Sequence, residues 1–282
     1  MKRALIVIGF AVLLAIVVRR SVPASPPREL RGSAMGCDWT LAWRGAAARP
    51  DHLEKQVAAV LEHWEQVLSQ WRAQSDLSRF NRGEPPSADL ARVLTAAQEI
   101  KTASGGAFDH QLLEQVHAAG FGPAGKGVDL SSIGKGFAVD RVGDRLRELG
   151  VHDFIFNLAG EALAGDGTWE IAIERPDPAG IVIAETVTLA NQAIATSGNY
   201  RQFHQSAEGI KSHLIDPKTG LPVIRPPSSV TVIAGDCATA SSWATALFVM
   251  GPESKIENVP SGLKVRWQQG TQGRAISESP CP

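Results

Sequence analysis

The chain is poor in cysteine. Its 282 residues hold three, at positions 37, 237 and 281, too few for a paired disulfide framework and spaced unlike a zinc site. It has no excess of charge of either sign: 28 Lys and Arg stand against 29 Asp and Glu, a net charge of −1. A nucleic-acid binder carries a marked cationic surplus, so that class is set aside. Aromatic residues make up 6% of the chain, with a single tyrosine. Familiar motifs are missing as well. No Gly-x-Gly-x-x-Gly follows a strand-like run, no Gly-x-Ser-x-Gly elbow occurs and there is no His-Glu-x-x-His, which removes the ordinary dinucleotide-binding, serine-hydrolase and zinc-protease readings. Residues 120–127 (GFGPAGKG) come near the phosphate-cradling Gly-x-x-x-x-Gly-Lys-Ser/Thr loop. They end on Gly127 where the magnesium-binding hydroxyl belongs, and a helix-like segment precedes them rather than a strand, so they read as a turn.

What is present is ordinary globular material, 44% hydrophobic and 20% charged, with 27 Gly and 17 Pro for a turn-rich mixed fold. The length suffices for a real core, as one large domain or two small lobes. Lys2 and Arg3 precede fifteen residues, 4–18, without a polar side chain, a run suited to a signal-peptide core and short for a membrane span of about twenty residues. Val22-Pro23-Ala24 supplies small residues for cleavage, while Arg19 and Arg20 suit an uncleaved anchor. Residues 1–24 are therefore expected to be a signal peptide or signal anchor. The protein is expected outside the inner membrane, either soluble in the periplasm or tethered there. A globular body is expected over residues 30–268, with a loose polar tail at 269–282.

Apolar residues at 53, 57, 60, 61, 64, 67 and 68 recur at helical spacing, so residues 52–70 are expected to form an amphipathic helix. A second helix starts after Ser87 as N-cap and ends at Ser104-Gly105-Gly106. A third is expected over residues 136–149, and a fourth over residues 237–250 between Asp236 as N-cap and Gly251. Strand-like runs occupy 154–157, 169–174, 181–189 and 230–234. Strands and helices are grouped rather than alternating, which favours α+β over a doubly wound sheet.

Four polar and glycine clusters stand out: VDLSSIGKG (128–136), NLAGE (157–161), AIATSGNY (193–200) and SHLIDPKTG (212–220). In the first, Gly134 and Gly136 would let backbone approach a ligand, Lys135 offers a point charge for phosphate, and the amides of the helix expected to begin there favour an anion. Each cluster alone reads as a structural turn; together they point to a site.

In their order these clusters resemble the ApbE family, the FAD:protein FMN transferases. MGCDW from Met35, the stretch 69–81 (SQWRAQSDLSRFN), GGAFD (105–109), VDLSSIGKGFAVD, AIATSGNYRQF, HLIDPKTGLPV and the segment 229–251 all match. The resemblance implies an α+β fold of mixed sheets with flanking helices and an FAD cleft between two lobes. It implies cleavage of the FAD diphosphate, transfer of FMN to a Thr or Ser hydroxyl of a partner flavoprotein in an electron-transfer complex, and release of AMP with magnesium assistance. By the same resemblance Met35 and Trp71 pack on the flavin rings, with core packing the rival role for Trp71. Lys135, Glu161, Thr196, Ser197 and Gly198 are implied to contact the cofactor, as are Asp109, Asp216 and Thr219 in their motifs, and His213 accepts the proton of the incoming hydroxyl. The metal falls to the carbonyl of Gly134 and to two side chains four residues apart in the last helix.

Two departures matter. The second of those side chains is Thr245, but the first is Ser241 where the family has Asp, so one helical face keeps its spacing and loses a negative charge. A neutral hydroxyl is a poor substitute on a hard cation, and Asp236 lies off that face. Metal affinity is expected to fall, which opens an alternative: a flavin-binding assembly protein with little or no transferase activity. A third reading has water replace the acceptor, giving FMN and AMP. The other departure is length, with eighteen residues between His110 and Asp129 where the family has more, trimming one wall of the site. Asn199, in place of a common Asp, is a milder change.

Overall fold

The structure, a computed structural model, describes residues 26–45, 49–177, 182–201, 203–206, 209–253 and 259–270. The expected leader at 1–24 and residues 271–282 of the expected tail lie outside the described residues. Among those described, no helix is long and apolar enough to cross a membrane. The chain forms β1 (Arg28–Ala34), β2 (Cys37–Trp43), α1 (Pro50–Leu68), α2 (Asp76–Asn81), α3 (Ala88–Ala103), α4 (Leu113–Ala118), α5 (Ser131–Glu148), β3 (Phe154–Leu158), β4 (Glu161–Ala164), β5 (Trp169–Arg175), β6 (Val182–Leu189), β7 (Ala193–Gly198), β8 (Phe203–Ser206), β9 (Gly209–Asp216), β10 (Leu221–Ile224), β11 (Ser228–Ala234), α6 (Cys237–Met250) and β12 (Lys264–Gln269).

Seven strands build one sheet in the order β1-β2-β3-β4-β7-β11-β12, and every pair in it is antiparallel. Helices α1, α5 and α6 cover one face. Trp39, Leu41, Trp43, Phe154, Phe156, Leu163, Val230 and Val232 from the strands enclose a core with Leu61, Trp64, Val139, Trp243 and Leu247 from the helices. The ribbon β5–β6 covers part of the other face, where Trp169, Ile173 and Leu189 meet Ala162, Ala164, Ile194 and Ile233. Alternate residues of β4 thus serve two different cores, as a strand's period of two requires. A smaller sheet runs β10-β9-β8. Helices segregated onto an antiparallel sheet make the fold α+β.

Local signals place three helices where the sequence does. Ser87 accepts from the Leu90 amide at the start of α3, Asp236 accepts from the Thr239 amide at the start of α6, and Gly251 just past α6 takes φ 91°. Helix α5 differs. It begins at Ser131 rather than 136, because Asp129 Oδ1 takes the Ser131 amide at 2.7 Å and Asn81 holds Val128 from both sides, accepting its N–H at 2.9 Å and donating to its carbonyl at 2.8 Å. The body also runs past its expected end: Gln269 pairs with Ser228 in the sheet, and the Gly270 amide reaches the Pro227 carbonyl.

Candidate active site

The second turn of α5 is where the elements converge. Gly134 faces the end of α1, where a Cβ would lie 3.3 Å from Leu68; Gly136 faces α6, where a Cβ would lie 2.5 Å from the Cys237 carbonyl oxygen. Lys135 between them points to the β3–β4 hairpin. The glycines of the VDLSSIGKG cluster therefore sit inside a helix and serve close helix packing at Gly136, and the expected helix N-terminus at this point is displaced by five residues. Asp140, one turn further on, accepts the Cys237 amide at 2.7 Å and the Ala238 amide at 3.0 Å, so it caps α6 from α5. Burial, against those two N–H donors, pushes its carboxyl up to about 7.

The β3–β4 hairpin turns on Ala159 and Gly160, both at positive φ (54° and 91°), the geometry of a two-residue primed turn that Gly favours. It delivers Glu161 to the sheet interior, 8% exposed. Lys135 Nζ lies 3.9 Å from Glu161 Oε1, and Glu161 Oε2 has no hydrogen-bond partner. Burial raises this carboxyl above the usual range, opposed by the Lys135 ammonium and the neighbouring Ser241 hydroxyl. Ser241, itself buried, donates to the Ser132 carbonyl at 3.1 Å. One turn along α6, Thr245 Oγ1 lies 3.2 Å from Ser197 Oγ. The donors implied for magnesium, Gly134 O, Ser241 and Thr245, are neutral oxygens. The buried Glu161 carboxylate adjoins Ser241, and its unpartnered Oε2 is an acceptor that a hard cation satisfies; on that ground the chemistry of the site fits magnesium.

Met35 and Trp71 are linked through α1. Met35 occupies the β1–β2 turn with φ 53°; its amide donates to Glu65 Oε2 at 3.2 Å, and Arg72, next to Trp71, meets the same oxygen at 2.9 Å. Trp71 is 63% exposed, which overturns the core-packing role and leaves its indole free to stack. The Thr196-Ser197-Gly198 segment, read from sequence as a turn, is the end of strand β7 paired with β11: Thr196 Oγ1 lies 2.8 Å from Thr231 Oγ1, and a Cβ on Gly198 would meet the Ser228 carbonyl oxygen at 2.9 Å. Asn199 is fully buried. Its amide donates to the Arg225 and Pro226 carbonyls, and its Oδ1 accepts from the Ser228 amide, a set that the acceptor-only Asp cannot complete.

Other expected contacts have local duties. Asp109 is ion-paired with Lys101 at 2.8 Å and accepts the Gln111 amide. Asp216 accepts the Lys218 amide, and Thr219 Oγ1 accepts the Leu221 amide, so both build the β9–β10 turn. His213 stands on β9, its ring edge-on to Phe121 at 6.0 Å between centroids; Phe121 comes from the Gly-rich turn after α4. His110, read from sequence as an ordinary polar residue, is 5% exposed with Nδ1 unpartnered, and burial lowers its pKa. A cavity of about 600 Å³, with Glu99, Gln192, Asp236, Trp243 and Ser261 in its wall, includes none of the expected cofactor residues. Sequence reasoning missed Glu65 and Asp140. Both are single acidic residues in helices, and only their distant partners mark them.

A family model described as the ApbE family matches residues 35–127 and 123–266. The FAD:protein FMN transferase of Vibrio cholerae is 32% identical over 303 residues, spanning 88% of this chain and 90% of that protein. That of Klebsiella pneumoniae is 29% identical over 300 residues, spanning 87% and 86%. Among solved structures, the apo form of the Pseudomonas stutzeri flavinyl transferase ApbE has a TM-score of 0.73 at 28% identity, with 83% of this chain and 87% of that one covered. The flavin transferase ApbE from Vibrio cholerae has a TM-score of 0.72 at 28% identity, with 86% and 98% covered. With its fold, its ordered motifs and these likenesses in agreement, the chain belongs to the ApbE family.

Proposed function

We propose that this protein is an FAD:protein FMN transferase. The observation that carries the reading is that Lys135 of α5 pairs with Glu161, Ser241 of α6 bonds across to α5 at the Ser132 carbonyl and Thr245, one turn on, meets Ser197 of β7, in a chain 32% identical over most of its length to a protein of that name. A Thr or Ser hydroxyl oxygen of the acceptor attacks the FMN-side phosphorus of FAD. The bridging P–O bond breaks with its electron pair going to AMP, and the hydroxyl proton passes to the imidazole of His213. Lys135 sets positive charge against the diphosphate, the hydroxyls of Thr196 and Ser197 donate to phosphate oxygens, and Met35 with Trp71 orients the flavin rings. Gly134, Ser241 and Thr245 would hold magnesium, which when bound neutralises charge on the diphosphate.

The acceptor is a flavoprotein of an electron-transfer complex, and residues 1–24 direct the protein outside the inner membrane, as a cleaved signal or a tether. A second reading, FAD binding in complex assembly without transfer, is favoured by Ser241: it brings no charge where the resemblance implies a carboxylate, and its hydroxyl lies 3.1 Å from the Ser132 carbonyl. Incubation with FAD, magnesium and an acceptor protein separates the two. Transfer leaves flavin fluorescence on the denatured acceptor with one AMP released per flavin. An unlabelled acceptor, under conditions where the Vibrio cholerae relative modifies it, overturns the transferase reading.

A further inference from the structure

We infer that Glu161 supplies the acidic ligand of the divalent-cation site, contributed from the β3–β4 hairpin in place of the carboxylate that α6 lacks at Ser241. The inference takes the cation's task from the transferase reading, but its geometry stands apart from that reading. Face-sharing Ser241 and Thr245 on α6 offer a hard cation two neutral oxygens and no charge, and among the described residues no cluster of three or more His, Cys, Asp or Glu exists to hold one elsewhere. Two buried carboxylates face this seam: both oxygens of Asp140 are taken by the Cys237 and Ala238 amides, and Glu161 is the other. It is 8% exposed and its Oε2 is without a hydrogen-bond partner. A buried carboxylate in that condition is costly unless something of opposite charge meets it.

Lys135 Nζ lies 3.9 Å from the other oxygen, Oε1, with its own side chain 31% exposed, too distant for a hydrogen bond. The Ser241 hydroxyl adjoins the same carboxylate and donates to the Ser132 carbonyl at 3.1 Å. A carboxylate, a hydroxyl and a backbone carbonyl thus converge, all hard oxygens, the ligand chemistry of magnesium or manganese. Helix α6 lacks the charge at Ser241, and the facing hairpin presents one at Glu161, beside Lys135.

Manganese titration of the FAD-free protein, read by the loss of the free-ion electron paramagnetic resonance signal, tests this without any turnover. Glu161→Gln, nearly isosteric, is expected to weaken manganese binding at least about ten-fold. Ser241→Asp restores binding in the Glu161→Gln background, because a carboxylate then returns from α6. Equal manganese affinity in the wild type and Glu161→Gln overturns the inference, as does failure of Ser241→Asp to rescue the folded double variant. Should Glu161→Gln fail to fold, Glu161→Asp withdraws the oxygen by roughly 1.5 Å while keeping its charge; weakened binding supports the assignment and unchanged binding overturns it. Transfer to an acceptor is assayed separately, so loss of the transferase reading would leave these affinities to be judged by themselves.

Discussion

Gly136→Ala is the sharpest probe of how α5 and α6 are held. A Cβ at this position would sit 2.5 Å from the Cys237 carbonyl oxygen, 2.8 Å from its carbon and 3.0 Å from Ala238 Cα, all backbone atoms that no rotamer change can move. Ordinary contact begins near 3.4 Å, so the start of α6 must retreat by about 0.9 Å along that line. Overpacking of this kind costs about 1–3 kcal/mol, and the better helix propensity of Ala returns about 1 kcal/mol, so the net loss of stability is about 0–2 kcal/mol. Function should suffer more than stability. The retreat strains the Asp140 bonds to the Cys237 and Ala238 amides and shifts Ser241 against Glu161 and Thr245 against Ser197. A displacement near 1 Å in a positioned site is worth up to about 100-fold in rate. Flavin transfer followed by fluorescence of the denatured acceptor, beside thermal unfolding, should show a small drop in melting temperature with a drop in rate of at least about ten-fold. A variant that transfers flavin at the wild-type rate would refute the claim that this close approach sets the site.

Two further outcomes are expected. Asp140 binds its proton more tightly in the folded protein, at about 7, than in the unfolded chain, at 3.8. Stability should therefore fall as pH rises from about 4 to about 7 and level off above, with a slope of up to about 1.4 kcal/mol per pH unit. Asp140→Asn removes that slope, and denaturant midpoints from pH 5 to pH 8 that vary alike in both proteins would contradict it. Trp71→Ala, at a position 63% exposed, should leave stability within about 0.5 kcal/mol and weaken FAD binding roughly ten-fold through lost stacking; an unchanged FAD dissociation constant in calorimetry would remove Trp71 from the site.

Helices α1, α3 and α6 were legible because their signals are local: apolar residues at i, i+3 and i+4, side-chain caps at Ser87 and Asp236, and a glycine after the last turn of α6. The family motifs were legible for the same reason, since each is a short contiguous word. Strand β4 was not. Its residues, EALA, carry neither alternation nor β-branching, because one face serves the helical core and the other the β5–β6 ribbon. The start of α5 was misplaced because Gly134 and Gly136 look like a loop in a string of letters, whereas Gly136 answers to a helix that arrives a hundred residues later. Ser241 reads as a deficit in isolation; only the fold sets the unpartnered Glu161 oxygen beside it. Hydrogen bonding within a turn can be inferred from neighbours in sequence, while desolvation and charge pairing depend on which distant segments share the interior.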